Sequence, residues 1–238
     1  LIAAGVTSGL LGIALAYSLP WWPGLRKKVA ARDHASAAQV AFRFNSFIGL
    51  ALADRLAGAQ GLFFISVLIG FCVPMFNIAA VWPMARESKQ SFWGQLVRNP
   101  LIVATVCGLT ANLLGFRMPS WLEPPVARIG AASIALGLMS AGAGMQLGLL
   151  TQAKRLSVGV LGIRHLIQPL IALGAIHVFG LQGDQALILL LFSALPTAST
   201  CYVLAARMGY NGPYVAGLVT LSTLLGIVSL PYALSLVP

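Results

Sequence analysis

Between Gly61 and Met84 the sequence reads GLFFISVLIGFCVPMFNIAAVWPM, a run without one charged side chain. As a helix rising 1.5 Å per residue, it is long enough to cross a hydrocarbon core of roughly 30 Å. Comparable apolar segments recur at Leu1–Leu19, Ala37–Ala57, Pro100–Phe116, Ile129–Leu150, Leu156–Gly180, Asp184–Ala206 and Tyr214–Val237. Ala37–Ala57 is the most interrupted of them, by Arg43, Asn45, Asp54 and Arg55. Lipid offers exposed backbone no hydrogen-bond partner, so runs of this kind are expected as helices. Composition agrees. Only 8% of the 238 residues are charged, and 58% are hydrophobic, whereas a soluble domain carries about 25% charge. The expected fold class is an all-α integral membrane protein with about eight transmembrane helices.

The formal net charge of +10 does not point to nucleic acid. The basic residues sit in short loops, with neither a continuous patch nor interleaved aromatics for base stacking. They read instead as orientation signals. If the spans alternate, one side receives Arg26, Lys27, Lys28, Arg32, Arg86, Lys89, Arg98, Lys154, Arg155, Arg164 and Arg207. The other receives Arg55, Arg117 and Arg128. The excess of Lys and Arg makes the first side cytoplasmic and both ends of this chain extracytoplasmic, in a cell membrane expected to be a bacterial inner membrane. Cys72, Cys107 and Cys201 fall within apolar runs and read as small buried hydrophobes. With His34, His165 and His177 they make no metal-spaced cluster, so no metal and no cofactor is expected.

Shifting the chain against itself by 152 residues lays Leu52-Ala53-Asp54-Arg55 over Leu204-Ala205-Ala206-Arg207, and Asn45-Ser46 over Thr197-Ala198. The matched segments are the second and seventh spans, so they cross the membrane in opposite directions. The first then pairs with the sixth and the third with the eighth. This is the order expected of inverted repeats. It implies a parent of about ten spans, two of them preceding Leu1.

Pro196 interrupts the run FSALPTASTCYVLAARMGYNG. Proline has no N–H to donate and its ring clashes with the carbonyl four residues back, so the helix must bend or break. If it breaks, Thr197, Ala198, Ser199 and Thr200 form the opening turn of a second half-helix. Its free N–H groups would point into the membrane and suit an anion. The other reading is a proline kink whose hydroxyls bond to carbonyls one turn earlier. The matching segment FRFNSFIGLALADRL carries Asn45, Ser46 and Gly49 in mid-span. Two irregular segments at corresponding positions favour a transporter site.

Three stretches, RNPLIVATVCGLTANLLGFRMP, IGAASIALGLMSAGAGMQL and ALPTASTCYVLAARMGYNGPYVAGLVTLSTLLGIVSLP, resemble the auxin efflux carrier family of membrane transporters, bacterial type, in order and over essentially the whole chain. The resemblance implies ten helices in two inverted five-helix repeats, with helices four and nine broken and crossing at the substrate site. Residues 1–84 would be an incomplete first repeat (helices three to five), 85–99 a short cytoplasmic linker, and 100–238 the second repeat. The implied function is secondary transport of small organic anions, malonate-like, malate-like or auxin-like, by alternating access. Carried over by position, Asn45, Ser46 and Gly49 fall on the first crossover and Pro196, Thr197 and Ala198 on the second. Ser199 and Thr200 complete the expected substrate-binding set. Ala51 stands where many relatives have proline, which predicts a first crossover only loosely broken.

Other polar residues leave alternatives open. Arg43 either attracts an organic anion or snorkels to the cytoplasmic end, and Asn77 either faces the site or bonds a neighbouring helix. Gln146 either contacts substrate or bonds across the close-packing SAGAGMQ run. Asn112 reads as a capping or packing residue, Arg164 as a snorkelling cation, and His165 and His177 as conceivable proton-coupling groups. An enzyme is not expected, because Asp33, Asp54, Glu87, Glu123 and Asp184 all lie at or near span ends. A channel, a sensory membrane domain and a carrier of the bile-acid and sodium symporter type are the alternatives. The expected partners are a small organic anion, the lipid bilayer and, as an open option, a second copy of the chain.

Overall fold

The computed structural model describes residues 1–25, 29–88, 92–97, 100–143 and 153–237. Every regular element among them is helical. The chain is a multi-pass membrane protein. Four helical stretches are long and apolar enough to span a bilayer: Ile2–Trp21, Ala31–Glu87, Lys154–Phe179 and Gly212–Leu234.

The first helix, α1 (Ile2–Ser18), buries Ala4, Gly5, Ser8, Gly9, Gly12 and Ala16. That stripe of small residues recurs every three or four positions, on one helix face. Small side chains let helices approach closely in lipid. A methyl added at Gly9 would lie 2.8 Å from the Phe76 ring, and one at Gly12 would collide with the Gln168 side chain. Helix α1 is thereby wedged between the distal part of α4 and the start of α9.

After α1 come α2 (Ala31–Ala37), the short α3 (Gln39–Phe42) and then α4 (Ser46–Ser88). Helix α4 is far longer than one span and is not straight. Ala57 leaves helical geometry, and Gly58 takes φ 54° and ψ −142°, a region essentially restricted to glycine. The chain doubles back there. A methyl at Gly49 would lie 3.7 Å from Ile65, whereas sixteen residues of straight helix span about 24 Å. The expected second and third spans are therefore the two arms of one hairpin.

Helix α5 (Phe92–Val97) falls within the stretch expected as a linker, followed by α6 (Pro100–Leu113) and α7 (Glu123–Ala143). The sixth expected span is α8 (Lys154–Gly162), a π-helical turn (Ile163–Ile167) and α9 (Gln168–Phe179). The seventh is α10 (Gly183–Ala194) followed, after a gap, by α11 (Thr200–Arg207). The eighth is α12 (Gly212–Leu234), capped by the Asn211 side chain, which accepts the Tyr214 N–H at 3.1 Å. Each apolar segment thus finds its helix, although the end of Ile129–Leu150 lies outside the described residues.

Helix α10 is the centre of the packing, against α4, α9 and α12. Residues Ile188 to Ala194 are all buried, as suits a helix covered on all sides. The exterior is apolar too: Leu113, Leu114, Phe116, Trp121, Val178 and Val228 all face outward, as a lipid-facing surface requires. Cys72 and Cys201 are buried as expected, but Cys107 is exposed. It lies on the outer face of α6, where an apolar residue needs no protein neighbour.

Several basic positions gather at one end. Arg155 donates to the Gly24 carbonyl at 3.3 Å, and Arg32 donates to that of Gly209. The Arg32 guanidinium also lies 4.8 Å from the Tyr210 ring centre, and Tyr210 donates to the Met84 carbonyl at 2.8 Å. The segments after the first, third, fifth and seventh spans therefore lie together.

Candidate functional site

Two helices break, and the breaks touch. In the first, α3 ends at Phe42, Arg43 turns extended (φ −75°, ψ 140°), and α4 begins at Ser46. In the second, α10 ends at Ala194, Leu195 turns extended with ψ 143°, and α11 begins at Thr200. A residue before proline is pushed out of helical geometry, which accounts for Leu195. At the first break no proline is needed. The Asn45 side chain accepts the N–H groups of Phe47 and Ile48 at 3.1 and 3.3 Å, an N-cap that stabilises a fresh helix start. The helix is thus fully broken at residues 43–45, upstream of Ala51, and the expectation of a loose break in this segment is corrected.

The opening turn of the second half-helix is also corrected. It starts at Thr200, because Thr197 is drawn into other bonds. Its hydroxyl donates to the Val40 carbonyl at 2.6 Å, and its N–H donates to the Ser222 hydroxyl at 3.0 Å. The two breaks are joined directly by the Asn45 N–H, which donates to the Pro196 carbonyl at 2.8 Å. Gly49 packs against the second break, where a methyl would sit 2.8 Å from Leu195.

Beside this junction lies a cavity of about 120 Å³. The first break contributes Arg43, Phe44, Asn45, Ser46 and Phe47, the returning arm of α4 contributes Val73, Phe76 and Asn77, and the second break contributes Ala198, Ser199 and Thr200. Of the expected site residues, Asn45, Ser46, Ala198, Ser199 and Thr200 line it, with Arg43 and Asn77. Gly49, Pro196 and Thr197 hold the junction without lining the cavity. Gln146 lies outside the described residues. Asn112 is exposed on α6, apart from this cavity.

The polar groups around the cavity include several hydrogen-bond donors and no acid. Both second half-helices, α4 and α11, present their N-terminal residues to it, and each such end carries about half a positive charge. Arg43, 5% exposed, does not snorkel away. Its guanidinium donates to Gln39 Oε1 at 2.7 Å and to Thr200 Oγ1 at 2.9 Å, which places a cation between the two breaks. Asn77 is 1% exposed, and its Nδ2 is buried without a hydrogen-bond partner. An unsatisfied buried donor costs about 1–3 kcal/mol and is rare in native structures unless something binds it. The apolar wall is aromatic: Phe44 lies against Phe192 at 4.5 Å between ring centres and against Phe76 at 6.0 Å.

Arg164 overturns its sequence reading. It is 2% exposed and does not snorkel. Its Nε donates to the Leu195 carbonyl at 2.6 Å, and its two terminal nitrogens donate to Phe42 and Phe192 carbonyls, each at 3.4 Å. His165, its neighbour in the π-helical turn, bonds Ser229 at 2.7 Å and Ser222 at 2.9 Å. His177 is exposed near the end of α9, where Nδ1 is 2.8 Å from the Leu173 carbonyl, and has no such link. Sequence reasoning did not single out Ser222 or Gln39. Ser222 joins His165 to Thr197, and Gln39 joins Arg43 to the Cys201 carbonyl at 3.2 Å. Their only signal was a polar side chain within an apolar segment, near the start of one for Gln39 and inside one for Ser222.

Residues 11–234 match the family model described as "Membrane transport protein". Among curated proteins, the chain is 26% identical over 154 residues to "Probable auxin efflux carrier component 3b" of Oryza sativa subsp. japonica, covering 60% of this chain and 25% of that protein. It is 26% identical over 152 residues to "Auxin efflux carrier component 7" of Arabidopsis thaliana, covering 60% and 24%. An "Uncharacterized transporter" of Methanothermobacter thermautotrophicus is 28% identical over 133 residues, covering 56% and 43%. The chain thus spans less than half the length of each of these relatives.

Proposed function

Since the chain belongs to the membrane transport protein family, which includes the auxin efflux carriers, we propose that it is a secondary transporter of small organic anions, working by alternating access around its crossed breaks. One observation carries this reading. The cavity at the junction gathers a buried arginine, the positive ends of two helices and an unsatisfied amide donor, with no acid among its lining residues. A carboxylate has the complementary acceptors, and charge-assisted bonds to it are the stronger kind. Asn45, Ser46, Ala198, Ser199 and Thr200 would supply the first contacts, with Arg43 as counter-charge and Asn77 as the second donor. Gly49, Pro196 and Thr197 would shape the crossing rather than touch the substrate.

In the same proposal the two breaks belong to inverted repeats, and the end carrying Arg32 and Arg155 faces the cytoplasm of a cell membrane. The test is uptake of radiolabelled malonate, malate and indole-3-acetate into liposomes holding the full-length protein, beside Asn45→Ala and Pro196→Ala. Saturable uptake of one acid, with KM raised at least tenfold in both variants, is the expected result. Saturable uptake indifferent to both would remove the site from the crossover. No uptake of any acid under proton or sodium gradients would sink the anion reading.

A further inference from the structure

Arg164 stands where a membrane helix should not hold a cation, and its partners are backbone carbonyls. Phe42 is the last residue of α3, and Phe192 and Leu195 flank the end of α10. One guanidinium therefore reaches the C-terminal ends of both first half-helices. Each such end carries about half a negative charge and carbonyls with no partner inside the helix. Two half-charges balance one buried cation. Without that balance the cation would be costly to bury.

The arrangement separates charge across the junction. The N-termini of α4 and α11 line the cavity, while the C-termini of α3 and α10 are collected on Arg164. The π-helical turn at Ile163–Ile167 carries both Arg164 and His165. Such widened turns are frequent at functional sites. From this turn Arg164 faces the breaks, and His165 is tied to Ser222 and Ser229 of α12. Ser222 in turn accepts the Thr197 N–H. The sixth span thus grips the second break twice, once through the carbonyls and once through α12.

We propose that Arg164 is the positioning residue of the crossover. It clamps the two breaks together from their negative side and so fixes the geometry of the N-terminal groups that meet the anion. This rests on the transport reading above. A planar fork can serve three carbonyls at once, whereas a lysine ammonium supplies the charge without the fork.

The experiment measures KM and Vmax for malonate with the full-length protein in liposomes, for wild type, Arg164→Lys and Arg164→Met, with the exposed-loop variant Arg117→Gln as control. The expected result is KM raised about three- to tenfold in R164K and more than tenfold in R164M, with Vmax in R164K within about twofold of wild type. Wild-type KM in R164K overturns the proposal, whatever happens to Vmax. If R164M does not fold, R164K decides alone. For a variant that no longer turns over, equilibrium binding of malonate replaces KM. Where wild type moves malate or indole-3-acetate instead, that acid replaces malonate; if it neither binds nor moves any of the three, the transport reading falls. Amide hydrogen exchange at Asn45 and Thr197 then judges the clamp: faster exchange in R164K supports it, and equal exchange overturns it.

Discussion

If the cavity takes an anion as proposed, Asn77 and Arg43 are two side chains at which stability and recognition pull apart. The buried Nδ2 of Asn77 has no partner, so the folded protein carries its desolvation without return. Replacing it by leucine, which has the same branching though larger tips that the adjoining cavity can take up, removes that cost of about 1–3 kcal/mol. The expected outcome for Asn77→Leu is a melting temperature raised by a few degrees and a KM for the transported acid raised at least fivefold. Differential scanning of the purified variant and an uptake curve check the two halves. A lower melting temperature would mean that Asn77 is bonded after all. Arg43 differs because it already has partners in Gln39 and Thr200. Arg43→Gln keeps a donor but loses the charge. A charge-assisted bond contributes about 1.5–3 kcal/mol, so KM should rise about ten- to hundredfold with Vmax less affected. An unchanged KM would make Arg43 a brace between the breaks and nothing more.

At the scale of elements, the two turns in the first half of the chain serve different purposes. The break at 43–45 touches the second break, while the reversal at Ala57–Gly58 only folds α4 back on itself. Gly58→Ala forces a β-carbon into a glycine-only conformation, at about 1–3 kcal/mol. It should lower the denaturation midpoint while leaving KM within about twofold of wild type; a KM shift comparable to that of Asn45→Ala would show that the reversal also tunes the site. This division explains what could be read in the sequence. Apolar length announces a membrane helix, so the helices were legible among the described residues, and so was the break at Pro196, where ring chemistry forces it. The start of α11 was not, because Thr197 is claimed by Val40 and Ser222, partners far away in sequence. Nor was the completeness of the first break, which Asn45 secures by capping rather than by proline. Arg164 looked like a snorkelling cation because its carbonyl partners leave no mark in a residue pattern.

For the whole molecule, the issue is whether the crossing opens to one side at a time. A carrier exposes its site alternately, and a bound substrate shifts the population between the two states by its differential affinity. A channel would admit a reagent from both sides at once and be indifferent to a saturating anion, except by simple blockage. Ser199 is suited to tell them apart, since it lines the cavity beside Thr200 and is only partly buried. Within this chain Cys72 and Cys201 are buried, and the exposed Cys107 can be replaced by serine. With Ser199→Cys in that background, a membrane-impermeant thiol reagent is applied to right-side-out and to inside-out vesicles, with and without malonate. Alternating access predicts that malonate changes the labelling rate from the two sides by different factors, because it biases one orientation. If occupancy slows labelling equally from both sides, the site is shielded but not alternating. If malonate, or whichever of the three acids is transported, has no effect from either side, the cavity beside the two breaks is not the place where the anion binds.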